Sequence, residues 1–184
     1  GMVFQEDSTL PWKTVMQNVE FGLKIAGMQP APRRERAQEM IDLVALHGFE
    51  NHYPAQLSGG MRQRVAIART LALDPRVLLM DEPFGALDQQ TRLIVGEELL
   101  RIWRATRKTV VFVTHDIQEA VLLSQQVWVM SYRPGRIIDV VDVGLPDDRD
   151  AAVVSSHEFN EISNRIWDRV RGEAMRGFEQ ENRR

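Results

Sequence analysis

Two short, unbroken apolar runs, with a helical stretch between them, constrain the fold of this chain more than any other feature. The runs occupy residues 77–80 and 109–113, and apolar residues recur at helical spacing over residues 90–104. Unbroken apolar strands are typical of parallel sheets covered on both faces. Parallel neighbours need a crossover, usually a helix. The pattern therefore predicts an α/β fold with a parallel-sheet core whose strands are buried on both faces.

The rest of the chain alternates between helical and extended patterns. Apolar spacing predicts helices over residues 14–26, 33–47, 61–73 and 117–123, and strands over 1–5, 127–131 and 136–141. Pro134-Gly135 separates the last two strands and indicates a hairpin turn. Residues 157–184 carry apolar positions at helical spacing among balanced charges. They predict an amphipathic helix that docks on the body of the protein or on a partner chain.

Composition excludes several classes of protein. The chain has 184 residues, 43% of them hydrophobic and 27% charged, with a net charge of −3 and no cysteine. This balance excludes a largely disordered chain and a strongly basic nucleic-acid module. The lack of cysteine excludes disulfides and thiolate metal sites. No apolar run approaches the roughly 20 residues that span a bilayer, and no charged-then-apolar leader opens the sequence, so we expect a soluble cytoplasmic protein.

Two adjacent carboxylates, Asp81 and Glu82, follow the first apolar run. The carboxyl ends of parallel strands form the edge at which α/β proteins bind ligands. Neighbouring carboxylates repel, so a pair at this edge favours a bound cation. An apolar strand that ends in Asp at a magnesium site is the Walker B arrangement of nucleotide hydrolases. Taken alone, the pair is more typical of a strand that ends in a solvated acidic turn.

A serine and two glycines, Ser58-Gly59-Gly60, precede a predicted helix. Glycines at a helix N-terminus expose backbone N–H groups at the positive end of the helix dipole, which suits an anion such as a phosphate. The alternative is an ordinary serine N-cap with a glycine-rich approach.

Together these segments resemble the ATP-binding cassette (ABC) ATPases. The sequence LSGGMRQR at residues 57–64 is followed in order by LLMDEP at 78–83, GALD at 85–88 and a strand that runs into His115. Four motifs in order are far more specific than one glycine-rich match. The resemblance implies a partial P-loop NTPase fold with a helical subdomain and a C-terminal helix. It predicts a core remnant over residues 1–7, a helical subdomain over 8–60, an ATPase core over 61–143, and a linker with an amphipathic helix over 144–184.

The resemblance also implies roles for individual residues, with ATP and Mg²⁺ as cofactors. Catalytic roles fall to Glu82, which would orient and deprotonate the attacking water, to the switch histidine His115 and to the Q-loop glutamine Gln5. The metal ligands would be Asp81 and Gln5. Nucleotide contacts would come from the signature loop and the D-loop, namely Ser58, Gly59, Gly60, Gln63 and Asp88. The remaining histidines, His47, His52 and His157, match no motif and are predicted to be structural or solvated.

Within the family, two segments are similar to importers of nitrate, sulfonate and taurine. They are LPWKTV at residues 10–15, followed by Asn18-Val19, and PGRI at residues 134–137. The resemblance implies a head-to-tail homodimer at the cytoplasmic face of the membrane and a membrane permease that contacts the Trp12 region, with no nucleic-acid partner. Trp12 could equally be packed within its own subdomain.

A P-loop of the form GxxxxGK[ST] is missing from these residues. The three lysines are Lys13, Lys24 and Lys108, and none follows a glycine. The resemblance therefore covers the C-terminal two-thirds of a nucleotide-binding subunit, beginning at the Q-loop. We expect the chain alone to bind ATP weakly or not at all, and to self-associate through an uncovered sheet edge.

Three classes of function are consistent with these observations. The first is the ATP-hydrolysing subunit of an oxyanion or organosulfur importer, represented without its P-loop. The second is a non-catalytic module that dimerises or docks on a transporter. The third is a soluble ABC ATPase of DNA repair or translation, but the short span from Gln5 to the signature loop and the Pro11-Trp12 segment argue against it.

Overall fold

A computed structural model describes residues 1–5 and 8–181, with side chains described up to residue 175. The predicted boundary at residue 7 and the last three residues of the predicted tail helix lie outside this range. The chain forms two compact units, Gly1–Thr114 and His115–Arg184.

The first unit contains a three-stranded parallel sheet with the order β1-β2-β3. The strands are β1 (Met2–Val3), β2 (Val77–Asp81) and β3 (Thr109–Val113). Met2 pairs with Leu79, and Leu79 pairs in turn with Val111, so the three strands are in register across the sheet. The parallel α/β core predicted from the apolar runs is confirmed.

The prediction that these strands are buried on both faces is wrong. Burial alternates along β2, where Leu78 and Met80 are buried whereas Val77 and Leu79 are 42% and 44% exposed. Val111 on β3 is exposed to a similar extent. Among the described residues, helices cover only one face of the sheet, and the apolar side chains on the other face meet solvent.

Four α-helices and the short 3-10 helix Pro54–Gln56 complete the described part of the first unit. The α-helices are α1 (Val15–Ile25), α2 (Pro30–Leu43), α3 (Gly59–Ala72) and α4 (Gln89–Thr106). The first three pack against one another, and α3 also contacts β1 and α4. Helix α2 begins three residues earlier than predicted because Pro30 suits a first helical turn. It ends at Leu43 rather than near Gly48 because Ala45 adopts a positive φ of 54°, which no α-helix can contain.

The second unit contains helix α5 (Ile117–Leu123), the antiparallel pair β4 (Gln126–Met130) and β5 (Ile137–Asp142), and helix α6 (His157–Glu181). The hairpin predicted around Pro134-Gly135 is confirmed. Phe159 and Ile166 of α6 are buried, and the helix contacts α5 and both strands, as its apolar spacing predicted. Across the described residues of both units, no helix combines the length and the apolar character that crossing a membrane requires.

Candidate functional site

Three of the predicted site residues come together at the carboxyl edge of the sheet in the first unit. Asp81 is the last residue of β2 and pairs in register with Val113. Glu82 follows directly, and its carboxylate Oε2 lies 3.3 Å from the side-chain amide nitrogen Nε2 of Gln5, which donates a hydrogen bond to it. Gln5 lies two residues beyond β1, so neighbouring strands deliver the amide and the carboxylate to one place.

The backbone at Glu82 is held in an uncommon conformation. Its φ of 42° lies in the left-handed region, which costs free energy for a residue with a side chain. Two hydrogen bonds fix this turn. The Glu82 N–H donates to the carbonyl of Val113 at 2.8 Å, and the Glu82 carbonyl accepts from the Gly85 N–H at 3.0 Å. Strain that is retained at a ligand-binding edge is typical of a functional position.

A buried aromatic pair stabilises the same turn. Phe84 is completely buried, and its ring packs on that of Phe112 in β3 with the centroids 5.6 Å apart. Gly85 lies against Gln5, because a Cβ at position 85 would be 3.3 Å from Gln5 Nε2. A larger residue at position 85 would therefore displace the amide that contacts Glu82. The sequence motif alone did not predict this steric role.

The predicted signature loop begins helix α3. Ser58 is the N-cap, and its hydroxyl oxygen accepts a hydrogen bond from the Met61 N–H at 3.2 Å. The first backbone N–H groups of any α-helix have no partner within the helix, and the helix dipole makes this end attractive to anions. The N-cap alternative and the anion-site hypothesis therefore describe the same local structure.

The two glycines of this loop also pack closely against the segment that contains the predicted D-loop. A Cβ on Gly59 would approach Leu87 Cδ2 to 3.1 Å. A Cβ on Gly60 would approach Thr91 Cγ2 to 3.0 Å and Val95 Cγ2 to 3.1 Å. Gly60 is buried, so its small size allows α3 to approach α4. The structure thus brings the signature loop and the D-loop of one chain into direct contact.

Asp88, predicted as a nucleotide contact, is the N-cap of α4. Its carboxylate accepts hydrogen bonds from the Thr91 N–H at 3.0 Å and from the Thr91 hydroxyl at 2.6 Å. These two hydrogen bonds lower the pKa of Asp88 below its ordinary value, with the hydroxyl as the larger cause. The carboxylate is exposed, and its ionised form is stabilised.

Two more predicted residues are Gln63 and His115, and their surroundings differ. Gln63 is only 3% exposed on α3, and its side-chain nitrogen is buried without a hydrogen-bond partner among the described atoms. His115 is exposed and is the first residue of the second unit. Their roles toward a nucleotide stay predictions.

Asn18 organises the loop that carries Trp12, a role that its sequence position did not indicate. Asn18 is completely buried, and its side-chain nitrogen donates to the carbonyls of Leu10, Lys13 and Thr14. Its side-chain oxygen accepts from the Leu10 N–H at 2.8 Å. Trp12, on the loop so fixed, is 70% exposed. Of the two alternatives for Trp12, packing within its own subdomain is therefore wrong.

The other histidines follow the prediction that they are structural or solvated. His47 is exposed, with Nδ1 3.2 Å from Asp42 Oδ1, and His157 is exposed beside Glu161. His52 packs its ring against Phe49.

The edge formed by Gln5, Asp81 and Glu82 has the chemistry of a magnesium and phosphate site. Asp81 offers an exposed carboxylate, and Glu82 offers a half-buried one. Carboxylate oxygens are the hard ligands that Mg²⁺ selects. A carboxylate hydrogen-bonded to an amide can also accept a proton from water while the amide holds its orientation. The donor set therefore fits the metal that the resemblance implies.

Comparison with protein families and curated proteins gives one consistent result. The family model described as ABC transporter matches residues 1–85. An ABC transporter ATP-binding protein of Methanocaldococcus jannaschii is 51% identical over 97% of this chain and 66% of its own length. The nitrate import ATP-binding protein NrtD of Synechocystis is 47% identical over 94% of this chain and 67% of its own length. The taurine import ATP-binding protein TauB of Yersinia pestis is 55% identical over 76% of this chain and 54% of its own length.

Two solved structures of ABC proteins are also similar to this chain. The cbiO1 protein of Clostridium perfringens, part of the ABC transporter complex cbiONQ, has a TM-score of 0.71 at 28% identity, over 78% of this chain and 57% of that one. The dimeric ATP-binding cassette MJ0796, bound to ADP and inorganic phosphate, has a TM-score of 0.63 at 37% identity, over 78% of this chain and 62% of that one. The chain spans just under two-thirds of the length of the Methanocaldococcus relative and of relatives from Brucella.

Proposed function

Because this chain belongs to the ABC transporter family of ATP-binding proteins, we propose that it is part of the ATP-hydrolysing subunit of an importer for an oxyanion or organosulfur solute. The observation that carries the proposal is the contact between Gln5 and Glu82 at the carboxyl edge of the sheet. The nitrate and taurine import proteins among its relatives support the solute class.

The chemical step that we propose is the attack of water on the γ-phosphate of ATP. The water oxygen forms a bond to phosphorus, the bond from phosphorus to the β–γ bridging oxygen breaks, and ADP and inorganic phosphate leave. Glu82 accepts the proton that the water loses, and the Gln5 amide holds the Glu82 carboxylate toward the water. Asp81, with Gln5, would hold Mg²⁺, which supplies positive charge to the phosphate oxygens.

The remaining predicted residues contribute to nucleotide binding in this proposal. Ser58, Gly59 and Gly60 present the N-terminus of α3 to the γ-phosphate of a nucleotide bound on a second, head-to-tail copy. Asp88, whose carboxylate caps α4, contacts the nucleotide from the predicted D-loop. His115 contacts the γ-phosphate. The dimeric cassette with ADP and phosphate supports this arrangement by likeness.

Trp12 supports the docking of a membrane permease. A tryptophan that is 70% exposed on a loop fixed by a buried asparagine is typical of a contact residue rather than a core residue. We propose that this loop meets the permease at the cytoplasmic face of the membrane.

A P-loop is needed for tight binding of the triphosphate, and the 184 residues contain none. We therefore propose that this chain alone neither binds Mg-ATP at micromolar concentration nor hydrolyses it. Calorimetric titration of the chain with Mg-ATP tests this part. Micromolar affinity would contradict it.

Hydrolysis itself is tested in a chimaera. This chain replaces the matching 67% of the Synechocystis nitrate import protein, and steady-state phosphate release is measured. We expect turnover, and we expect Glu82→Gln to lower it by at least about 100-fold while ATP binding is retained. The matched control is Glu97→Gln on α4, which we expect to leave turnover unchanged. Equal turnover of the Glu82→Gln chimaera and its parent would refute the role of Glu82.

A further inference from the structure

Arg92, in the first turns of α4, reaches back to the segment that follows Glu82. Its Nε donates a hydrogen bond to the carbonyl of Leu87 at 2.9 Å, and its Nη2 donates to the carbonyl of Gly85 at 3.4 Å. Both acceptors lie in residues 83–87, called the connecting segment below, which joins Glu82 to the start of α4. One guanidinium therefore holds two carbonyls of the connecting segment.

The connecting segment also forms two successive turns of its own. The Gly85 N–H donates to the Glu82 carbonyl at 3.0 Å, and the Leu87 N–H donates to the Phe84 carbonyl at 3.0 Å. These turns use the N–H groups of Gly85 and Leu87, and Arg92 binds their carbonyls. The segment is thus held at four points, which helps to keep the left-handed backbone at Glu82 in place.

The connecting segment contacts two parts of the candidate site. At Gly85 it lies against the amide that bonds Glu82, since a Cβ there would be 3.3 Å from Gln5 Nε2. At Leu87 it lies against the signature loop, since a Cβ on Gly59 would be 3.1 Å from Leu87 Cδ2. A displacement of the segment would therefore disturb both contacts together.

The stability of α4 does not account for the placement of Arg92. A positive charge at the N-terminal end of a helix is unfavourable, because the helix dipole is positive there. A guanidinium, however, presents its donors in one rigid plane and can bind two carbonyls at once. A lysine ammonium on its flexible stem does not reproduce that geometry. The contact therefore suits the connecting segment better than it suits the helix.

We propose that Arg92 is a positioning residue for hydrolysis, an inference that rests on the proposed function. Arg92 holds the connecting segment so that the Gln5 amide meets the Glu82 carboxylate and Leu87 meets the signature loop. A displacement of about 1 Å in a reacting group can cost roughly 100-fold in rate. Loss of Arg92 should therefore lower kcat, whereas the KM for ATP depends mainly on the P-loop that the chimaera supplies.

The first test measures steady-state phosphate release in the chimaera. We expect Arg92→Met, which has an unbranched side chain without donors, to lower kcat by at least about 10-fold and to change the KM for ATP by less than about twofold. Arg92→Lys should recover only part of the loss, because one ammonium cannot hold both carbonyls in the same geometry. The matched control is Arg104→Met in the last turn of α4, which should leave both constants unchanged. A parental kcat in either Arg92 variant would overturn the proposal.

The second test does not depend on hydrolysis. In ¹⁵N NMR spectra of the 184-residue chain, the side-chain amide resonances of Gln5 are assigned through their loss in Gln5→Ala. We expect Arg92→Met to shift these resonances toward those of a solvated glutamine, because the contact with Glu82 loosens. Arg104→Met should leave them unchanged. Unchanged Gln5 resonances in Arg92→Met would contradict the positioning role.

Failure of the proposed function gives a different result. If the parent chimaera does not hydrolyse ATP, or if Glu82→Gln has no effect, the proposed function is wrong and the role of Arg92 in hydrolysis is overturned with it. If the chimaera is active and depends on Glu82, but Arg92→Met keeps the parental kcat, only the role of Arg92 is overturned.

Discussion

Substitution of Gly60 by alanine should destabilise the first unit, because the added methyl group has no space. The new Cβ would lie 3.0 Å from Thr91 Cγ2 and 3.1 Å from Val95 Cγ2. Both neighbours are β-branched side chains on a helix, where their χ1 angle is stiff, and Val95 is buried. Neither methyl group can therefore rotate away at low cost.

The expected magnitude is the difference between two effects. Overpacking of this kind costs about 1–3 kcal/mol, whereas alanine gains up to about 1 kcal/mol over glycine in a helix. That gain is smaller in the first turn, where Gly60 lies. The net expectation is a loss of about 1–2 kcal/mol in the free energy of unfolding. With a urea slope near 2 kcal/mol/M, the midpoint falls by roughly 0.5–1 M.

The assay is urea denaturation followed by circular dichroism, with Gly172→Ala as the matched control. A Cβ on Gly172 in α6 meets no atom within 4 Å, so the same substitution should stabilise that helix by up to about 1 kcal/mol. A Gly60→Ala chain that is as stable as the parent would refute the conclusion that Gly60 is small because α3 and α4 meet there.

Three further substitutions test other parts of the structure. Asn18→Leu should cost roughly 3 kcal/mol, since the part-buried Leu10 N–H and Lys13 carbonyl lose the side chain that bonds them, and it should increase proteolysis of the Trp12 loop. Asp88→Asn keeps the helix cap but removes the titrating group. The pKa of Asp88 is lower in the folded state than in the unfolded state. Its stabilising contribution is therefore fully present above the unfolded-state pKa of about 4 and is lost as the pH falls through the lower folded-state pKa. The parent should lose more stability in acid than the variant does. Arg149→Met should lower the urea concentration at which the second unit unfolds, because the buried guanidinium donates hydrogen bonds to the carbonyls of four residues. The control is Arg169→Met, which removes an exposed ion pair and should cost less than about 1 kcal/mol.

Features that depend on neighbours in the sequence were predictable. The apolar run before Asp81 and the helical spacing after Gln89 fix a strand and a helix locally, and Ser58 caps α3 through a hydroxyl only three residues from its partner. The ordered motifs then placed Gln5 and Glu82 at one site, and the 3.3 Å contact between them agrees with that placement.

Features that depend on distant residues were not predictable. Nothing near Gly60 in the sequence indicates that Thr91 and Val95 lie against it, so the sequence suggests only an anion site or a glycine-rich approach to a serine N-cap. The hydrogen bonds of Asn18 depend on a loop geometry that hydropathy does not encode. The uncovered face of the three-stranded sheet was not predicted, because an apolar run indicates that a strand has two apolar faces but not which residues cover each of them.

The most direct test of the account is a double-mutant cycle between Gln5 and Glu82 in the chimaera, with phosphate release as the readout. If the Gln5 amide acts by orienting the Glu82 carboxylate, Gln5→Ala should slow turnover in the parent but have little further effect once Glu82 is glutamine. Losses that multiply fully in the double variant would contradict the account, because they would mean that the two residues contribute to hydrolysis independently.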